Sequence, residues 1–163
     1  MAIKRGFSII ELTVVIGLMS LLTLAISTIM LTSVVSSNRV RTTTKVKQAG
    51  NYVIDQLQGL LRNAKGIPLC DSSSASITLT NPDGGTTVIA SESDGTSTRI
   101  ASNSGIYLTP SDTQTSSFNL VCEPTDSYPS LVKFSFDLQS TLTTKATENP
   151  LLHFETSVNL RNE

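Results

Sequence analysis

Between Leu12 and Asn38 the chain runs for 27 residues without one charged side chain, and Leu12 to Leu31 is dominated by Leu, Ile, Val and Met. A helix rises about 1.5 Å per residue, so roughly 20 apolar residues cross a hydrocarbon layer ~30 Å thick. Lys4 and Arg5 precede the run and no proline occurs before Pro68. A cleaved secretory signal has the same basic start, but its apolar core is usually only ~7–15 residues long and ends in a small-residue cleavage site. Here the run is longer, and no such site separates it from Arg39. Glu11 stands at the start of the run, where a carboxylate is costly without a partner. These features predict a retained membrane-length helix.

Composition limits what the remainder can be. The 163 residues suit one domain and an appendage. Lys and Arg number 12 against 13 Asp and Glu, so the net charge of −1 gives no general reason to expect nucleic acid as a partner. Ser and Thr together number 45, and charged residues make up 15%, below the usual roughly 25%. Such a surface suits an extracytoplasmic domain. With one His and two Cys, a zinc site of four Cys or His ligands and a four-cysteine iron–sulfur site are both excluded by count.

The helical pattern continues past the apolar run in amphipathic form. Val46, Ala49, Val53, Leu57, Leu60, Leu61 and Ala64 recur at spacings of three and four, with Lys45, Lys47, Asn51, Asp55, Gln58 and Arg62 between them. Lys65-Gly66-Ile67-Pro68 reads as a stop: a base in the last turn, Gly for a left-handed cap, then Pro. The run Thr42–Thr44 is the weakest part of this helix, where a break is expected if there is one.

After Pro68 the period becomes two. Ser76–Thr80 and Thr86–Ala90 form a hairpin across Asn81-Pro82-Asp83-Gly84-Gly85. Further strands are expected at Thr98–Ala101, Gly105–Thr109, Phe118–Val121, Leu131–Leu138 and Leu151–Leu160. Val132, Phe134, Phe136 and Leu138 share one face, opposite Lys133, Ser135 and Asp137; Leu152, Phe154, Val158 and Leu160 share another, interrupted by Thr156. Sheets of this kind are antiparallel, with one face covered and one wet. The fold class is therefore α+β: a long N-terminal helix, half membrane-directed and half amphipathic, packed on a small antiparallel meander. Cys70 and Cys122 lie at element edges, which favours a bridge over two separate buried thiols. A bridge closing about 50 residues contributes ~4 kcal/mol in the chain-entropy model and belongs to an oxidising compartment.

The N-terminus carries a specific motif. Lys4-Arg5-Gly6-Phe7-Ser8-Ile9-Ile10-Glu11-Leu12, opening the uncharged helix, resembles the processing site of type IV pilins and type II secretion pseudopilins. More weakly, Phe154-Glu155-Thr156-Ser157-Val158-Asn159-Leu160-Arg161-Asn162 is similar to the end of J-type minor pseudopilins and related minor pilins. The resemblance implies a pilin-like fold divided into a leader at 1–6, a transmembrane and assembly helix at 7–35, its amphipathic continuation at 36–67 and an extracytoplasmic β-rich head at 68–163. Gly6 would end the leader, cut by an inner-membrane prepilin peptidase. Phe7 would become the N-methylated mature terminus. Glu11 would compensate the charged terminus of a neighbouring subunit during assembly, and its first-turn position also suits the helix dipole. The implied partners are the peptidase, other pilins or pseudopilins through the N-terminal helix, and an inner-membrane assembly platform. The implied location is the bacterial inner membrane with the head outside the cytoplasm, and then a periplasmic or cell-surface filament.

Two departures accompany the resemblance. Many major pilins kink the membrane helix with Pro where this chain has Thr28. Arg39, Arg41, Lys45 and Lys47 follow the span, so a count by the positive-inside rule places the head in the cytoplasm. Cysteine usage and the Ser/Thr-rich surface agree with the outside placement that the resemblance implies. These four cations otherwise read as a juxtamembrane anchor.

No catalytic constellation and no cofactor site is expected. His153, the single histidine, falls on the strand face opposite Leu152 and Phe154, and no nucleophile elbow is present. Asp83-Gly84-Gly85 and Asp94-Gly95 are hairpin-turn chemistry before they are calcium loops. The expected protein is a non-enzymatic minor pilin or pseudopilin. Its rivals are a single-span, membrane-anchored extracytoplasmic binding domain with an uncleaved helix, and a secreted enzyme whose mature chain starts after Met30.

Overall fold

The structure, a computed structural model, describes residues 8–103, 105–124, 129–143 and 145–160. The chain divides into two units, Met1–Asn38 and Arg39–Glu163. One helix, α1 (Ile9–Asn63), contributes to both. It is unbroken through Thr42–Thr44, where the Thr43 and Thr44 hydroxyls donate to the carbonyls of Arg39 and Val40. That back-bonding engages the side chains that otherwise compete with a helix.

In the first unit α1 is exposed on every side, with its aliphatic residues at 40–83% of full exposure. In the second, Val46, Ala49, Gly50, Val53, Leu57 and Leu61 are buried. Burying a Leu or Val side chain contributes about 1.5–3 kcal/mol, so this stripe is what docks the helix.

Seven strands follow: β1 (Gly66–Asp71), β2 (Ser76–Thr80), β3 (Thr86–Ser93), β4 (Thr98–Ser102), β5 (Thr113–Glu123), β6 (Leu131–Ser140) and β7 (Leu152–Asn159). All pair antiparallel with their neighbours, in a four-stranded sheet β1-β2-β3-β4 and a three-stranded sheet β5-β6-β7. The α+β class is as expected, but the meander is two sheets. Ile67, Ile77, Leu79, Ile89 and Ile100 from the first meet Phe118, Leu120, Val132, Phe134, Phe136, Leu138 and Val158 from the second, in one core with the helix stripe.

The expected helix stop is corrected. α1 ends at Asn63, and Gly66 opens a strand, without the left-handed backbone of a helix cap. The Lys65 N–H donates to the Thr80 carbonyl, so the chain passes straight from the helix into the sheet. The segment 64–67 therefore does not continue the helix, and 68 falls inside β1. Pro68 is tolerated because β1 is an edge strand whose register slips between Gly66 and Leu69.

The segment Gly105–Thr109 is not a strand; one bridge joins Tyr107 to Ala101. Arg99 holds this segment, stacking its guanidinium 4.2 Å from the Tyr107 ring and donating to the Thr109 carbonyl. The expected hairpin at Asn81–Gly85 is formed, with Thr80 opposite Thr86. Gly84 takes a positive φ of 84° there, and the Asp83 carboxylate accepts the Gly85 N–H at 2.9 Å. The inward row of β6 is as expected, and in β7 Thr156 accepts a hydrogen bond from the Gln58 amide at 2.9 Å.

Candidate functional site

α1 is long and apolar enough to cross a membrane, and its most apolar stretch is wholly exposed. The six hydroxyls from Thr13 to Thr32 are bonded within the helix. Thr13, Ser20, Thr23, Ser27, Thr28 and Thr32 each donate to a carbonyl three or four residues earlier, at 2.8–3.0 Å. Hydrocarbon requires polar groups to be satisfied within the segment, and these are. At Thr28 the helix runs on, as it must where no proline removes an N–H.

Glu11 lies in the first turn of α1 and is exposed. Ion pairs among the described residues join Arg99 to Asp94, Lys133 to Glu123, Lys145 to Glu148 and His153 to Asp137; none involves Glu11. The expected cleavage and methylation positions, Gly6 and Phe7, lie outside the described residues, as do Arg161 and Asn162 of the C-terminal motif.

In the second unit Cys70 and Cys122 form a disulfide, their Cα atoms 6.5 Å apart. Cys70 belongs to β1 and Cys122 to β5, so the bond ties one edge of the first sheet to an edge of the second. Their positions on edge strands of separate sheets could not be read from the sequence, although the pairing itself was expected.

The acidic turns are closed on themselves. Asp94 accepts from the side chain of Thr96 and the backbone N–H groups of Thr96 and Ser97, with Arg99 at 3.3 Å; these bonds, led by the Thr96 hydroxyl, hold its carboxyl well below the usual carboxylate range. Asp71 is lowered to about 2, first by the Ser73 and Ser74 hydroxyls and then by their backbone N–H groups. Oxygens engaged in this way are turn staples. Among the described residues no cluster of three or more His, Cys, Asp or Glu is placed to hold a metal ion.

His153 sits where expected, on the outer face of β7 with its side chain 60% exposed, but it has a partner the strand pattern did not disclose. Its Nδ1 lies 2.6 Å from Asp137, and the Ser117 hydroxyl donates to the other carboxylate oxygen at 2.6 Å. Ser117, then His153, hold the Asp137 carboxyl below its ordinary range. The three residues form one row across β5, β6 and β7, opposite one another in register. The acid stands between hydroxyl and imidazole, so the imidazole does not rest on the serine, and the row is not the arrangement of a Ser-His-Asp triad.

A cleft of about 550 Å³ lies between α1 and the β2–β3 turn, lined by Asp55, Gln56, Gly59, Leu60 and Asn63 on one side and Asn81, Pro82, Asp83 and Thr87 on the other. It pairs amides with two carboxylates and contains no nucleophile set beside a base. What the described residues concentrate is therefore the apolar helix, with Glu11 at its start. Compared with protein-family models, curated proteins and solved structures, the chain matches none.

Proposed function

We propose that the protein is a minor pilin or pseudopilin, a structural subunit whose N-terminal helix waits in a membrane and is then buried against the helices of other subunits. The observation that carries this reading is the division of labour along α1. An all-round apolar segment opening with a lone carboxylate continues, without a break in the helix, into a stripe that serves as the core element of a disulfide-tied α+β head. A helix that is apolar all round needs lipid or other helices about it. A carboxylate at its apolar end needs a cation, and an N-terminal amine of a neighbouring helix supplies one.

On this reading a prepilin peptidase cuts after Gly6, Phe7 is N-methylated, and Glu11 pairs with the terminus of an adjacent subunit. The chain is not itself an enzyme. An assembly platform in the inner membrane and other pilins or pseudopilins are its partners, and the head lies outside the cytoplasm, where the Cys70–Cys122 bond is kept oxidised.

Intact mass and N-terminal sequencing of the protein recovered from its native membranes test the reading. A start at Phe7 carrying one methyl group is expected, and Gly6→Ala is expected to leave the chain uncleaved. Glu11→Ala should be processed but lost from filaments. A start at Met1, with full function of both variants, would establish instead a plain single-span anchor carrying a binding domain. A start past Met30 would refute any membrane-retained helix.

A further inference from the structure

One pole of the second unit combines basic and aliphatic side chains. Residue contacts between α1 and β7 give its orientation. Gly50 lies against the Phe154 ring, and Gln58 bonds Thr156, so α1 and β7 advance in the same direction. Toward lower helix numbers the next row of the sheet is Leu138 with Leu152, and beyond it Ser140 pairs with Thr113. The β6–β7 connection, of which 141–143 and 145–151 are described, thus lies at the pole where the chain enters this unit at Arg39. The Ser140 N–H donates to the Asn149 side chain, whose amide donates in turn to the carbonyls of Ser140 and Thr143. The Thr141 N–H donates to the Asp112 carbonyl. These bonds hold the connection in place.

Its side chains are unusual for a solvent-facing turn. Leu142 is 67% exposed and Leu151 54%, while Val40, on the first helical turn of this unit, is 62% exposed. Arg39 and Arg41 flank Val40, Lys47 follows it two turns on along the same face and Lys45 lies on another face; all four are exposed, and none has an ion-pair partner among the described residues. No Asp or Glu occurs in the sequence between Glu11 and Asp55, so the helix itself offers them no acid three or four residues away. Lys145 adds a cation, 73% exposed, with Glu148 3.7 Å away; the acids toward this pole include Glu148, which is largely buried, Asp112, and Glu92 and Asp94 beside the β3–β4 turn, of which Asp94 pairs with Arg99.

We propose that this pole docks on a bilayer surface containing anionic phospholipid: Leu142, Leu151 and Val40 enter the headgroup layer, and Arg39, Arg41, Lys45, Lys47 and Lys145 meet lipid phosphates. The choice of occupant rests on charge and continuity. Arg39 is the first charge after the 27 uncharged residues, which places the cluster at headgroup level if those residues span the bilayer. Exposed aliphatics flanked by lysine and arginine fit an interface of phosphates above acyl chains better than they fit water. The inference rests on the membrane-helix part of the proposed function. It adds to it that the head, before assembly, lies on the lipid and does not swing freely above it.

The test uses the full chain reconstituted in vesicles of phosphatidylcholine, with or without one-third phosphatidylglycerol. Both native cysteines are bridged, so Leu142→Cys and, separately, Ser157→Cys each give one thiol for an environment-sensitive fluorophore; Ser157 is exposed on β7 toward the opposite end of the sheet. Thermal melting of each labelled protein in detergent confirms the fold, and resistance to carbonate extraction confirms insertion. The label at Leu142 should be blue-shifted and quenched by spin-labelled headgroups in the anionic vesicles, and the label at Ser157 should not. Arg39→Gln with Arg41→Gln should lower the docked-to-free ratio about five-fold for each charge removed. Equal solvent exposure at both positions in an inserted protein would overturn the docking while leaving the membrane helix standing. Extraction by carbonate would overturn the membrane helix, and the docking with it.

Discussion

Gly50→Ala isolates the closest approach of helix and sheet. A Cβ built on Gly50 falls inside contact distance of three Phe154 ring carbons, so the ring must move. Its freedom to do so is limited on one side: Phe154 stacks on Phe136 with centroids 5.3 Å apart and planes 15° from parallel, and Phe136 is fully buried. Forcing an extra carbon into such a contact costs about 1–3 kcal/mol. Against this, Ala is better than Gly inside a helix by about 1 kcal/mol. The expected net effect is a loss of about 0–2 kcal/mol, with the stacked pair disrupted.

Gly59→Ala provides the comparison. A Cβ there meets nothing, so the propensity gain stands alone and the protein should gain up to about 1 kcal/mol. Thermal melting of the two variants and the parent in the same detergent measures both, at roughly 3–5 °C per kcal/mol for a head of this size. Near-ultraviolet circular dichroism reports the Phe136–Phe154 stack. Adding Phe154→Leu should cost less in the Gly50→Ala background than alone, because the clash and the ring are then removed together. If Gly50→Ala raises the midpoint as much as Gly59→Ala does, the proposed approach of ring to helix backbone is refuted.

Replacing Cys70 and Cys122 together by Ser, or reducing the bond, should lower stability by about 4 kcal/mol for a closed loop of this length, read as a fall of the melting midpoint by roughly 10–20 °C. A change under about 1 kcal/mol would show that the two sheets hold together without their tie. Asp71, Asp94 and Asp137 all have lowered folded pKa values, so each contributes stability that is fully present above the ordinary carboxylate pKa of 3.8 and is lost as pH falls through its folded value. Melting midpoints should therefore be level above about pH 5 and decline from about pH 4 toward pH 2. Asp94→Asn and Asp71→Asn together should flatten that decline; an unchanged acid limb would refute the role of the turns.

The sequence alone determined whatever is written in adjacent residues. The uncharged run of 27 residues defines a membrane-length segment because the cost of charge in hydrocarbon depends on local composition. The stripe from Val46 to Leu61 and the alternation of Leu131–Leu138 are visible because burial on one face imposes periods of 3.6 and two. The Asn81–Gly85 turn is visible because Gly84 supplies a backbone conformation other residues resist.

Tertiary structure decided what depends on a partner far along the chain. β5 starts at Thr113, five residues before the expected Phe118, because Thr113 and Thr115 occupy inward positions that apolar counting overlooks. A bulge between Thr115 and Ser117 then moves the inward row from odd to even positions and hides the alternation. β1 escapes notice for a related reason: Gly66 and Pro68 resemble a helix stop, and only pairing with β2 makes an edge strand of them. The division into two sheets, the position of the disulfide between their edges and the Ser117–Asp137–His153 row have no local signature at all. They follow from register, a relation between distant segments that no single stretch of sequence contains.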